Sequence, residues 1–239
     1  MTDSIISRLP KWRLEEAEKW IAGKAGLVQD NADIALEAQD GLDDIDERVL
    51  ASEPDSDYSI RFCAGDLVAD DLPITCACLI VAGNLRVKGV MYSDMMVEEG
   101  ALIVLGDVEV GRCVSRGMHT VICGNLRAGH VATNSLNDLA FSVGGNVEAE
   151  SFAEFGEYVE IHGKLKVDKL ISDANTIDAR GGREARIVIE SSSNTPADQL
   201  AALLKKEVIK TSTFDGETYT YIDGDAYMDC LRQNTSPFL

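Results

Sequence analysis

The chain has 239 residues, with 41 acidic against 22 basic side chains, a formal net charge of −19. An acidic surface this strong disfavours phosphate backbones and anionic membranes and favours a basic partner. Apolar residues at 45% and charged residues at 26% fit a soluble globular class. No run reaches membrane-spanning length and Met1 to Trp12 lacks the apolar core of a secretion signal, so a cytoplasmic location is expected.

In chain order, the first predicted element is a helix from Pro10 to Ala22, with Leu14, Ala17 and Ile21 on one stripe and Trp12 and Trp20 beside it. The tryptophans read as anchors to a core or as partner hot spots, the first being the commoner use. Residues 28–57 then hold eleven carboxylates against one base, Arg48. Ile34, Ala38, Leu42, Ile45 and Val49 recur at helical steps, so an amphipathic helix interrupted at Gly41 is predicted, its acids facing outward. Asp40, Asp43, Asp44, Asp46 and Glu47 are the densest set and do not match a calcium-loop pattern. They read either as a solvated face or as a docking surface for a basic protein.

From Tyr58 to Leu170 one pattern returns six times, on Gly65, Gly83, Gly106, Gly124, Gly145 and Gly163. Two residues before each glycine lies Cys63, Val81, Val104, Ile122, Val143 or Ile161, and two after lies Leu67, Leu85, Val108, Leu126, Val147 or Leu165. Three after, the residues are mostly charged: Arg86, Glu109, Arg127, Glu148 and Lys166. This period-two alternation, repeated at 18 to 23 residues, predicts a mainly β fold: a single-stranded parallel β-helix of about six coils, the right-handed form favoured by the uneven coil lengths. An antiparallel sandwich with turns at similar spacing is the alternative. The repeat glycines are expected to supply a positive φ, and the Asn or Asp after five of them to stack as a ladder that Lys164 breaks. Excursions at Tyr92 to Glu99 and at Ala132 to Asp138 read as projecting loops.

After Leu170 the pattern degrades, because Arg183 and Ala185 stand where Leu and Val belong, and Ala185 to Glu190 reads as one further strand. A helix from Ala197 to Ile209 with Thr195 as N-cap follows, then a hairpin turning at Asp223-Gly224. The predicted organisation is a helical, acidic N-terminal cap over 1–57, a β-helix over 58–190 and a C-terminal helix-plus-hairpin cap over 191–239.

Catalytic constellations are sparse. His119, His130 and His162 occupy unrelated phases, and no nucleophile elbow, phosphate loop or dinucleotide fingerprint occurs. The 18-residue interval equals three hexapeptides, but the left-handed acyltransferase helix fails on phase, its steps landing on Ser93, Arg116, Asn134 and Asp173. Glu109 and Glu148 share a column with Arg86, Arg127 and Lys166 between them, which suits a salt-bridge ladder better than a glycosidase acid pair. Cys76-Ala-Cys78 is too tight for a zinc knuckle, so the six cysteines read as structural thiols. No catalytic residue, metal or cofactor is assigned.

The texture of Gly83-Asn-Leu-Arg-Val87, Gly106-Asp-Val-Glu-Val110 and Gly145-Asn-Val-Glu-Ala149 resembles bactofilins, the polymer-forming β-helical cytoskeletal proteins. It is also similar to small acidic β-helical immunity proteins that accompany bacterial polymorphic or type VI secretion toxins. Elements flanking both ends depart from the bactofilin plan. The immunity resemblance implies a cytoplasmic protein that binds a cognate toxin, a basic nuclease being the natural partner at this charge, and occludes its active site. Asp40, Asp43, Asp44, Asp46, Glu47, Glu98 and Glu99 are the candidate partner-binding residues. A bactofilin-like structural or assembly protein, with self-association, is the alternative, and a β-helical carbohydrate-active or transferase enzyme comes third.

Overall fold

The computed structural model describes residues 5–24, 32–43, 45, 59–93, 100–135 and 139–239. Seven coils follow one another, one more than the glycines mark. They are β2 (Ile60–Cys63) with β3 (Leu67–Ala69) and β4 (Leu72–Ile74); β5 (Cys78–Val81) with β6 (Leu85–Ser93); β7 (Gly100–Val104) with β8 (Val108–Arg116); β9 (Met118–Ile122) with β10 (Leu126–Asn134); β11 (Ala140–Val143) with β12 (Val147–Glu154); β13 (Tyr158–Ile161) with β14 (Leu165–Ser172); and β15 (Ile177–Ala179) with β16 (Arg183–Glu190). Odd-numbered strands from β5 stack with β2 into one parallel sheet, and the longer even-numbered strands stack with β3 and β4 into a second. The result is a parallel β-solenoid whose interior is filled by the two sheets' inward columns, Val81, Val104, Ile122, Val143 and Ile161 facing Leu85, Val108, Leu126, Val147 and Leu165.

Register is exact from coil to coil, Leu126 pairing with Val108 on one side and Val147 on the other. The exception is a bulge in β6, where Val90 pairs with Arg112 and Met91 with Cys113. Met91 therefore takes the inward column, and Val90, which stands seven residues after Gly83 as Cys113, Val131, Phe152 and Leu170 do after their glycines, faces outward.

From Gly83 onward the repeat glycines serve close approach, while Gly65, at the first corner, has open space beside it. Positive φ among glycines occurs at Gly117, Gly156, Gly182 and Gly216 and at none of the six repeat positions. A Cβ on Gly106 would instead lie 2.6 Å from the Gly83 carbonyl oxygen, and one on Gly163 would lie 2.6 Å from that of Gly145. Stacked corners leave no room for a side chain. Beside them runs the predicted ladder: the backbone N–H of Asn84 donates to the Asp66 side chain (2.8 Å), that of Asp107 to Asn84 (2.9 Å), that of Asn125 to Asp107 (2.7 Å), that of Asn146 to Asn125 (2.9 Å) and that of Lys164 to Asn146 (2.8 Å). Lys164 ends the ladder as a donor with no carbonyl oxygen to pass on.

Among the described residues no α-helix covers the start of the solenoid. Ile6, in a 3-10 turn at Ile6–Arg8, is 2% exposed and joins the interior cluster with Ile5 and Leu9 against it. β1 (Lys11–Trp12) then pairs antiparallel with β2, closing that sheet edge. Arg61 fastens the plug by donating to the carbonyls of Ser7 (3.3 Å) and Leu9 (3.0 Å). The helices α1 (Leu14–Lys24) and α2 (Ala32–Asp43) lie on the outer flank of the first sheet. Trp12 stacks on Phe62 at 3.7 Å and Trp20 meets Phe62 edge-on at 5.0 Å, so both indoles are internal anchors.

The C-terminal segment also lies on a flank. α3 is shorter than the sequence suggested (Ala197–Leu203), and its N-cap is Pro196, with no side-chain cap bond. The hairpin is β17 (Ile209–Phe214) with β18 (Glu217–Ile222), turning at Asp215-Gly216 where both residues have positive φ. Asp223 opens a helix, α4 (Gly224–Arg232), by accepting from the Ala226 N–H (3.1 Å), which removes the Asp223-Gly224 turn. Leu200, Leu204, Val208, Tyr227 and Leu231 pack on Val114, Ala132, Ala153, Ile171 and Ile189, an outward apolar column of the second sheet, and on Val90 in the column beside it.

Candidate docking face on the second helix

Outward columns of the first sheet are apolar in its early coils: Cys78 and Ile80, Ala101 and Ile103, Val121. They require a cover, and α2 supplies one with Ile34, Ala38 and Leu42, joined by Ile45. The helix does not break at Gly41. It passes through it, because that glycine is the point of closest approach to the sheet: a Cβ there would sit 3.2 Å from the His119 Cβ and 3.5 Å from the Ala101 Cβ.

From β11 onward the Ile103–Val121 column turns polar, with Ser142, then Glu160, then Asp178 in register. This is the rim of α2. The Ser142 hydroxyl donates to Glu37 Oε2 (3.4 Å), while Glu160 contacts Arg180 and lies 3.4 Å from His162 Nε2. Glu37 has its carboxyl raised above the ordinary range, first by burial and then by the charges of Glu160 and Asp40, with His119 and Ser142 opposing. Asp40 and Asp43 are exposed, Asp43 accepting from the Gln39 side-chain amide (2.9 Å), and Leu36 is 62% exposed beside them. The face joins the half-buried Glu37 and the exposed Asp40 and Asp43 of α2 to Glu160, which is paired with Arg180 across the rim.

Of the sequence-derived candidates, Asp40 and Asp43 therefore lie together on this face. Asp44, Asp46, Glu47, Glu98 and Glu99 fall outside the described residues. Glu37, Ser142 and Glu160 were missed. Glu160 and Ser142 are far from α2 in sequence, and their only signal was a polar residue in an otherwise apolar outward column.

Two other polar features carry less chemistry. A shallow groove of about 500 Å³ follows the charged ladder, lined among others by Arg86, Glu109, Arg127 and Glu148. Its pairs are loose, 3.9 Å for Arg86–Glu109, 3.8 Å for Arg127–Glu148 and 3.6 Å for Lys166–Glu148, and serve register along the stack. At the corner between β12 and β13, Glu154 and Glu157 are fully buried. Glu154 accepts backbone N–H groups from Gly156, Ala174 (3.3 Å) and Asn175 (2.7 Å), closing two turns at once. Burial holds both carboxyls above their ordinary range, Glu157 well above it, with the Glu154 charge adding to the shift and Thr133 opposing it. Burial also pushes the Cys113 thiol up to about 12 and raises the Cys78 thiol, as structural thiols require. Among the described residues no three His, Cys, Asp or Glu side chains converge as a metal-binding set.

These features define a class: a parallel β-solenoid, covered on two flanks by its own termini, that presents an acidic helix. The chain matches no family model, no curated protein and no solved structure. Among the described residues no helix is long and apolar enough to cross a membrane.

Proposed function

We propose that this chain is a cytoplasmic immunity-type binding protein whose α2 flank docks a strongly basic partner, a nuclease toxin being the natural cognate, and occludes its active site. The observation that supports this reading is the carboxylate field at the α2 rim. Burial first, and then the charges of Glu160 and Asp40, raise the Glu37 carboxyl, and a partner's Lys or Arg side chains would favour its charged form on binding. A rigid acidic helix suits a nuclease because its carboxylates stand in for substrate phosphates. The net charge of −19 steers such a partner from a distance. No catalytic step belongs to this reading.

The test is capture of a partner from host lysate by the tagged chain at low and high salt, followed by titration of the recovered protein. Asp40→Asn, Asp43→Asn and Glu160→Gln together leave the fold intact and slow association about tenfold or more at low salt, the loss shrinking as salt rises. Affinity that ignores both salt and these substitutions removes the docking face from α2. A filament-forming role is disfavoured by the plug at Ile5–Leu9, which blocks one of the two ends that a polymer needs.

A further inference from the structure

The far end of the solenoid is built differently from the plugged start. The two main sheets end at β15 and β16, whose outer edges pair with no other strand among the described residues. The inward column Met91, Cys113, Val131, Phe152 and Leu170 is buried at every step, yet its last member, Val188, is 50% exposed.

The β16 edge is not a generic one. Aligned on β14, Arg183, Ala185, Val188 and Glu190 stand in the inward columns of Leu165, Val167, Leu170 and Ser172, and Glu184, Arg186 and Ile189 face outward. The strand bends between Arg186 and Ile187, as β14 does between Asp168 and Lys169, so its in-and-out pattern reads the same from either end. A strand laid antiparallel with Arg183 opposite Glu190 and Ala185 opposite Val188 thus keeps every inward position on an inward position. Arg183 and Glu190 approach to 3.8 Å across the coil mouth. Inward charges of this kind repel an ordinary apolar strand, since both would lose water without gaining partners. A strand that offers a Glu to Arg183 and an Arg to Glu190 is accepted, and β16 of a second copy is such a strand. Glu184 and Arg186 are already tied to the preceding coil, through Lys164 (2.6 Å) and Asp168 (2.7 Å), and present no free charge against the approach.

We propose that two copies of the chain associate through their C-terminal solenoid ends, β16 against β16 across a two-fold axis, with two Arg183–Glu190 pairs forming an alternating square of charge over the joined interiors. Because the start of each solenoid is plugged, the contact closes as a dimer and does not propagate.

Sedimentation equilibrium of the full chain tests this. The expected result is a mass of twice 25.9 kDa at concentrations of about 100 µM, with reversible dissociation on dilution. Arg183→Glu, which sets like charges opposite each other twice, weakens the dimer about tenfold or more, and Arg183→Glu with Glu190→Arg restores it. Val188→Lys gives a monomer whose circular dichroism and melting match the parent. A parent that stays monomeric across this range overturns the proposal, as does a dimer indifferent to Arg183→Glu and Val188→Lys. Partner capture through α2 is unaffected by either variant, so failure here leaves the docking reading separately judged.

Discussion

The two flanks of the solenoid are both covered by the chain's own termini, but by different means. On the first sheet α2, with α1 beside it, lies over paired apolar columns and ends at the rim where the Ile103–Val121 column turns to Ser142 and Glu160. On the second sheet a compact assembly of α3, β18 and α4 sits on one column, Val114 to Ile189, with Val90 beside it, while the column of Arg86, Glu109, Arg127 and Glu148 near the strand starts stays in water. The difference teaches that the outward residues of each coil specify the footprint of whatever covers it. Where they are apolar a terminus lies down, and where they are charged it does not.

Breaking the C-terminal cover has the largest expected effect. Tyr227 is fully buried between Phe155 and Phe238, and its hydroxyl pairs with Ser151 at 3.4 Å. Tyr227→Ala costs about 3–5 kcal/mol by denaturant unfolding. The N-terminal cover is thinner but closer. Gly41→Val forces α2 off His119 and costs about 1–3 kcal/mol, with release of the Trp20 environment as a fluorescence change. If the two covers unfold independently, the two losses add; a shortfall in the double variant couples them through the solenoid.

The buried corner between β12 and β13 separates interior effects from flank effects. Burial favours the protonated form of Glu157, raising its folded pKa well above the ordinary glutamate value. Its contribution is full below that ordinary value and is lost as pH rises through the folded pKa. The parent therefore loses stability as pH rises above the usual carboxylate range, whereas Glu157→Gln flattens that dependence and gains about 1–3 kcal/mol at neutral pH. Melting temperature against pH reads this directly, and equal slopes in the two proteins would refute it. The smallest effect is at the α2 rim: Glu160→Gln lowers the Glu37 pKa toward its ordinary value, followed by carboxyl NMR titration.

Much of the solenoid was legible because its interior obeys period two and its corners repeat. Gly83, Val81 and Leu85 announce a coil without help from any other segment. The seventh coil was less legible, since Arg183 and Ala185 occupy apolar columns and an end coil has no following coil to satisfy. The bulge at Val90 defeated counting, because one extra residue moves a side chain to the opposite face. The glycines were found but for a different physical reason, steric contact between stacked corners in place of backbone handedness. Least legible was the docking face. Asp40 and Asp43 stood out by density alone, but Glu160 joins them only after five coils have been wound, and nothing local to Tyr158-Val-Glu-Ile161 signals a helix nearby.

The side-chain ladder from Asp66 to Lys164 has a consequence for exchange with solvent. Corners of a solenoid are its most water-exposed backbone, and amide protons there ordinarily swap with deuterium quickly. Here the N–H groups of Asn84, Asp107, Asn125, Asn146 and Lys164 are each held by the residue one coil earlier. A line of slow-exchanging protons should therefore run along an exposed edge, and the step at which protection lapses would locate where the stack first opens.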